Sequence, residues 1–118
     1  MGIRELMNYG KRIMKVFKFS KYGDSLGTRL IGARIRTDLR PLLDGNEKVV
    51  LDFTGIEIVT NSFADECIAK LLLEMPLEEL KAKTTFTGLK PLDERCVITA
   101  INRRLLQIAS SNTVQGSK

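Results

Sequence analysis

The run Lys48 to Phe53 (K-V-V-L-D-F) constrains the architecture of this chain more than any other segment. It is a short, β-branched block bounded by Gly45 and Gly55, the pattern of a central strand. Soon after it, the polar stop Thr60-Asn61-Ser62 leads straight into Phe63 to Met75. On a helix, Phe63, Cys67, Ile68, Leu71, Leu72 and Met75 cover more than a third of the circumference, so that helix must be well buried. A core strand that hands its chain directly to a buried helix belongs to a layered α/β structure.

The flanking segments extend the pattern. Arg12 to Ser20 alternates Ile13, Val16 or Phe17, and Phe19 with lysines, as a half-buried strand does. Lys21 to Gly27 reads as a loop, and Thr28 is placed to cap a helix. In that helix Ile31, Ile35, Leu39 and Leu42 form one apolar stripe, while Arg29, Arg36 and Arg40 share another face. Pro41 and Asp44-Gly45 end it. Pro76 stops the buried helix, Leu77 to Lys81 adds a further helical turn, and Thr84 to Thr87 reads as a strand. Ile98, Ile101, Leu105 and Ile108 mark a closing amphipathic helix. The expected organisation is an arm or short helix over 1–11, one α/β domain over 12–109, and a frayed tail over 110–118. Its small sheet is mixed or partly parallel and packed with amphipathic helices. At 118 residues, such a domain buries about two-thirds of the surface of its unfolded chain and needs no metal or disulfide to hold together.

Composition narrows the chemistry. There is no histidine, which removes Ser-His-Asp and Cys-His catalysis and the commonest zinc ligand. Cys67 and Cys96 lie too far apart for a C-x-x-C motif and read as free thiols in a reducing compartment. No serine has a lysine at the spacing of a Ser-Lys dyad. The expectation is therefore no enzyme, no cofactor and no metal. Neither G-x-G-x-x-G nor a P-loop Gly-Lys-Ser/Thr is present. A receiver domain would need acids after its first strand, where this chain has Lys18-Phe19-Ser20-Lys21, so Asp52 reads as a structural residue. No segment reaches the ~20 apolar residues of a membrane span and no signal-peptide core opens the chain, so the expected location is the cytoplasm.

Charge is uneven. Residues 1–45 hold ten Lys or Arg against four acids, whereas 46–118 hold nine against ten, and the total is +5. This leaves open a nucleic-acid or phosphate-ligand module built on Lys11, Arg12, Lys15, Lys18, Arg29, Arg36 and Arg40. A sparse aromatic content argues against base stacking. Within the basic half, Gly23, Ser25 and Arg29 form a candidate anion-binding loop. At the strand-to-helix corner, Ser62 and Asp65 read as a capping box, with Glu66 adding a second carboxylate near the positive helix end.

Leu51 to Ile56 (L-D-F-T-G-I) and Phe63 to Glu66 (F-A-D-E), within a span of roughly 12–108, give the chain a likeness to a known group. It resembles the STAS domain of sulfate transporters and anti-sigma factor antagonists, and more closely the STAS-like family of bacterial proteins. In the antagonists the strand ends in Asp-Ser-Ser-Gly, whose first serine is phosphorylated by a histidine-kinase-like ATPase, and phosphorylation breaks the complex. The resemblance sets Thr60 at the Asp position, Asn61 at the phosphorylated Ser, Ser62 at the second Ser and Phe63 at the Gly. An amide accepts no phosphate, so the acceptor role falls to Ser62, with Thr60 as the other hydroxyl. A phosphate there is expected to meet repulsion from Asp65 and Glu66. The resemblance thus implies a regulatory protein-binding module that meets such an ATPase through Thr60, Asn61, Ser62, Asp65 and Glu66.

Overall fold

A computed structural model describes residues 14–116, with side chains as far as Ser111. The expected arm over 1–11, together with Lys11, Arg12 and Ile13, lies outside the described residues. Strand β1 (Met14–Lys18) runs into a 3-10 turn (Phe19–Tyr22) and a two-residue strand β2 (Ser25–Leu26). Helix α1 (Arg29–Leu39) follows, then a 3-10 turn containing Pro41 (Arg40–Asp44) and strand β3 (Lys48–Asp52). A second two-residue strand, β4 (Ile58–Val59), precedes helix α2 (Asn61–Cys67) and a 3-10 stretch (Ala69–Leu73). Helix α3 (Leu77–Lys83), strand β5 (Thr84–Thr87) and helix α4 (Pro91–Gly116) complete the chain.

The main sheet has the order β1-β3-β5 and is parallel throughout, which makes Lys48–Asp52 its central strand, as its composition requires. Register pairs Phe17 with Leu51 and Leu51 with Phe86, so Phe17 and Leu51 face the helices and are buried. Phe19 stacks on Phe53 with centroids 4.0 Å apart and meets Phe17 and Phe63 edge-on. This aromatic cluster ties the first strand, the central strand and α2 into one core. Ile35 and Leu39 of α1 and the whole predicted apolar set Phe63, Cys67, Ile68, Leu71, Leu72 and Met75 are buried with it.

Helices α1 and α2 approach closely because Gly32 has no side chain. A Cβ there would sit 3.0 Å from Glu66 Cβ and 3.2 Å from the Phe63 carbonyl oxygen. That closeness lets arginines on α1 reach the acids of α2.

Four features differ from the sequence-based expectations. The helix expected over Phe63–Met75 is α-helical only to Cys67 and continues as a 3-10 stretch. The break lies where Arg36 Nη1 donates a hydrogen bond to the Glu66 carbonyl, the acceptor that a continuous helix would offer to residue 70. The loop Lys21–Gly27 contains β2, which pairs in parallel with β4. The closing helix begins at Pro91; of its expected stripe Ile101, Leu105 and Ile108 pack against the core, while Ile98 is turned to solvent and Val97 and Ala100 are buried instead. Finally, the segment read as a frayed tail from Ser110 is helical to Gly116, since no glycine or proline interrupts the helix before that point.

Candidate functional site

The corner at residues 58–67 is set by β4. Its pairing with β2, Leu26 opposite Val59, brings Thr60 beside Gly27. The Thr60 hydroxyl donates to the Gly27 carbonyl at 3.1 Å and accepts from the Phe63 amide at 3.1 Å, so Thr60 is the N-cap of α2. This corrects the capping-box reading. Ser62 lies inside the first turn, and the cap sits two residues upstream because the β2–β4 pair fixes where the extended chain ends.

The five predicted corner residues divide into two sets. Thr60 is engaged in the cap, while Asp65 and Glu66 are tied into the molecule. Asp65 takes Arg104 Nη2 at 2.6 Å, Arg104 Nε at 3.2 Å and Arg29 Nη1 at 2.8 Å. Glu66 takes Arg36 Nη1 at 3.0 Å, Lys70 Nζ at 3.0 Å and Arg29 Nη1 at 3.4 Å. Burial by itself pushes both carboxyls up. The cations outweigh it and hold both below the ordinary carboxylate range, with Arg104 then Arg29 acting on Asp65, and Lys70 then Arg36 on Glu66. These acids join α1, α2 and α4 and are not a free acidic tip.

Asn61 and Ser62 remain exposed, and no hydrogen bond engages either side chain among the described residues. With Arg29, Arg103 and Gln107 they line a cleft of about 180 Å³ whose base is Asp65 and Ala100. Arg103 is exposed and forms no ion pair among the described residues. The periodicity of α4 gave no hint of its role, because the helix turns Arg104 inward to Asp65 and Arg103 toward the cleft. The corner is therefore basic and polar where the sequence suggested an acidic one.

The candidate anion loop is arranged differently from its sequence reading. Gly23 adopts φ +114, Ser25 is paired within β2 with its hydroxyl 3.4 Å from Asp24, and Arg29 reaches across to Asp65 and Glu66. Two more of the expected basic residues are likewise engaged: Arg36 of α1 with Glu66, and Arg40 of the following 3-10 turn with Glu74 at 2.7 Å and Asp44 at 2.8 Å. Lys15 pairs with Glu47 on an exposed surface. Asp52 accepts from the Thr54 amide at 2.9 Å in a turn, and the Thr54 hydroxyl first and then that amide hold its carboxyl low. Cys67 is buried, and burial pushes its thiol up to about 12, far from the thiolate needed for redox work. Among the described residues no cluster of Cys, Asp and Glu has the makings of a metal site, and no helix is long and apolar enough to cross a membrane.

Against this geometry, the model of a family described as a STAS-like domain of unknown function (DUF4325) matches residues 32–94, more than half of the chain. The chain belongs to the STAS-like family. No curated protein and no solved structure matches it. The matched STAS-like segment runs from Gly32 through the corner to the first turn of α4. It contains both acids of the ion-pair network, while Arg29, Arg103 and Arg104 lie on either side of it.

Proposed function

We propose that this STAS-like chain is a non-enzymatic regulatory module of the bacterial cytoplasm that docks on a histidine-kinase-like ATPase through the corner cleft. The observation that carries the reading is the pair Asn61 and Ser62, exposed at the start of α2 on a backbone held by Thr60 and flanked by Arg29 and Arg103. Such a surface favours an acidic patch on the partner. Charges of this kind at an interface rim steer encounter and select partners.

Phosphorylation of Ser62 is the control that fits this corner. The repulsion expected from Asp65 and Glu66 is offset, because four cations already hold those carboxylates. A phosphoryl group on Ser62 would enter a cleft with Arg29 and Arg103 on its walls and would replace an uncharged contact by a dianionic one. Facing an acidic partner patch, it would weaken the complex.

The test is retention of the native ATPase by the tagged chain. Ser62→Glu and Arg103→Glu are each expected to lower affinity about tenfold, about 1.4 kcal/mol. Incubating the pair with ATP is expected to place phosphate on Ser62 by mass spectrometry. Unchanged retention in both variants would remove the corner from the interface. Binding of DNA or RNA by the chain alone, weakening steeply with added salt, would favour the basic-surface alternative.

A further inference from the structure

The three-stranded sheet has two outer strands, and they are built differently. β1 carries exposed Lys15 and Lys18, charges of the kind that discourage another strand from pairing. β5 is T-T-F-T, with no charge and no proline. In a parallel ladder, the N–H and C=O of one residue point to the same side. The Thr87 carbonyl accepts from the Phe53 amide at 2.8 Å, so Thr87 faces β3, and the N–H and C=O of Phe86 face outward from the sheet.

Alongside that edge lies a groove of about 550 Å³, walled by Leu77 and Lys81 of α3, Phe86 of β5, and Ile98, Ile101 and Asn102 of α4. Its walls are mainly apolar, with Ile98 51% and Phe86 37% exposed. The groove thus sets strand groups that have no partner among the described residues beside a place for apolar side chains, the two elements of peptide recognition by strand addition.

We propose that the β5 edge takes an extended segment of another protein as a fourth strand. Alternate side chains of that segment are apolar and fill the groove on Phe86, Ile98 and Ile101, and one carboxylate meets Lys81. Charge selects this occupant. Among the described residues Lys81 is the only charged one lining the groove, and a second copy of this chain would bring a surplus of +5 to it. The inference does not rest on the corner reading, since the groove and the corner cleft share no residue.

A random peptide library displayed on phage, selected on the immobilised full chain, tests it. Enriched sequences are expected to alternate apolar and polar residues and to carry an acid. The synthetic consensus peptide should slow hydrogen exchange at the Phe86 amide. Ile98→Glu and Lys81→Glu, both on exposed side chains, should each weaken that peptide about tenfold while leaving the melting curve in place. Retention of the ATPase by the corner should be unchanged in both variants. Failure to enrich any sequence would overturn the proposal, as would a peptide that protects Asn61 and Ser62 in place of Phe86. A chain that sediments as a dimer with the Phe86 amide already protected would assign the edge to a second copy instead.

Discussion

One hydroxyl holds the corner together. Thr60 caps α2 and also bonds to Gly27, so it fixes both the start of the helix and the loop that leads to α1. Thr60→Val keeps the side-chain shape and removes both bonds; it is expected to cost about 1–2 kcal/mol in a denaturant melt. Ser62→Ala, two residues on, should stay within about 0.5 kcal/mol, because no hydrogen bond is lost among the described residues. Equal costs would place the cap at Ser62 after all. The sequence shows three polar residues in a row at this point, and local spacing alone favours Ser62 because Asp65 follows three residues later. What moves the cap to Thr60 is the partner strand. β2 lies 33 residues from β4 in register, Ser25 opposite Ile58, and the extended chain cannot end until that pairing does.

At the level of elements, helix α2 was legible in its apolar set and not in its length. Every residue assigned to the buried face is buried, because a stripe of apolar side chains can only leave water by packing. The helix nevertheless breaks after Cys67, where the guanidinium of Arg36 takes the Glu66 carbonyl and also pairs with its carboxylate. Arg36→Met should leave that carboxylate with Lys70 and Arg29 alone and the carbonyl free. The expected loss is about 1.5–3 kcal/mol, the range for hydrogen bonds to charged groups. A double-mutant cycle with Glu66→Gln isolates the side-chain part: additivity would show that the guanidinium and the carboxylate do not act on each other. The central strand and the first helix were easier to read, since Gly45, Gly55, Thr28 and Pro41 mark their ends by local chemistry alone. The stripe of the last helix is legible at Ile101, Leu105 and Ile108, which pack against the core, and fails only at Ile98; its start lies at Pro91, a residue at home in a first helical turn.

Across the whole molecule, Asp65 and Glu66 act as the electrostatic joint of three helices. Their carboxyls are held below the ordinary range, so their contribution to stability is fully present above the unfolded values, near pH 4, and is lost as pH falls through the lower folded values. The melting temperature should therefore be level from neutral pH to about 5 and fall steeply below about 4. Asp65→Asn is expected to melt lower than the parent at neutral pH, where Arg104 loses its anion and Arg29 keeps only Glu66, and to show a shallower fall in acid. Circular-dichroism melts across this range decide it, and parallel curves for the two proteins would mean that Asp65 contributes no pH-dependent stability. The same joint changes which corner residues are left exposed. Two residues expected to greet a partner hold the fold together, and the exposed face of the corner is left to Asn61, Ser62, Arg29 and Arg103.

The amino-acid sequence by itself determined the α/β class, the central strand, the buried stripe of α2 and the position of the corner, because these follow from periodicity, turn residues and caps acting within a few residues of one another. Only the tertiary structure decided which corner side chains face solvent. Asp65 meets Arg104 across 39 residues and Arg29 across 36, and such pairings form only when packing brings side-chain atoms of distant helices within about 3 Å. A carboxylate looks the same in a sequence whether it awaits a partner protein or already has one in its own chain.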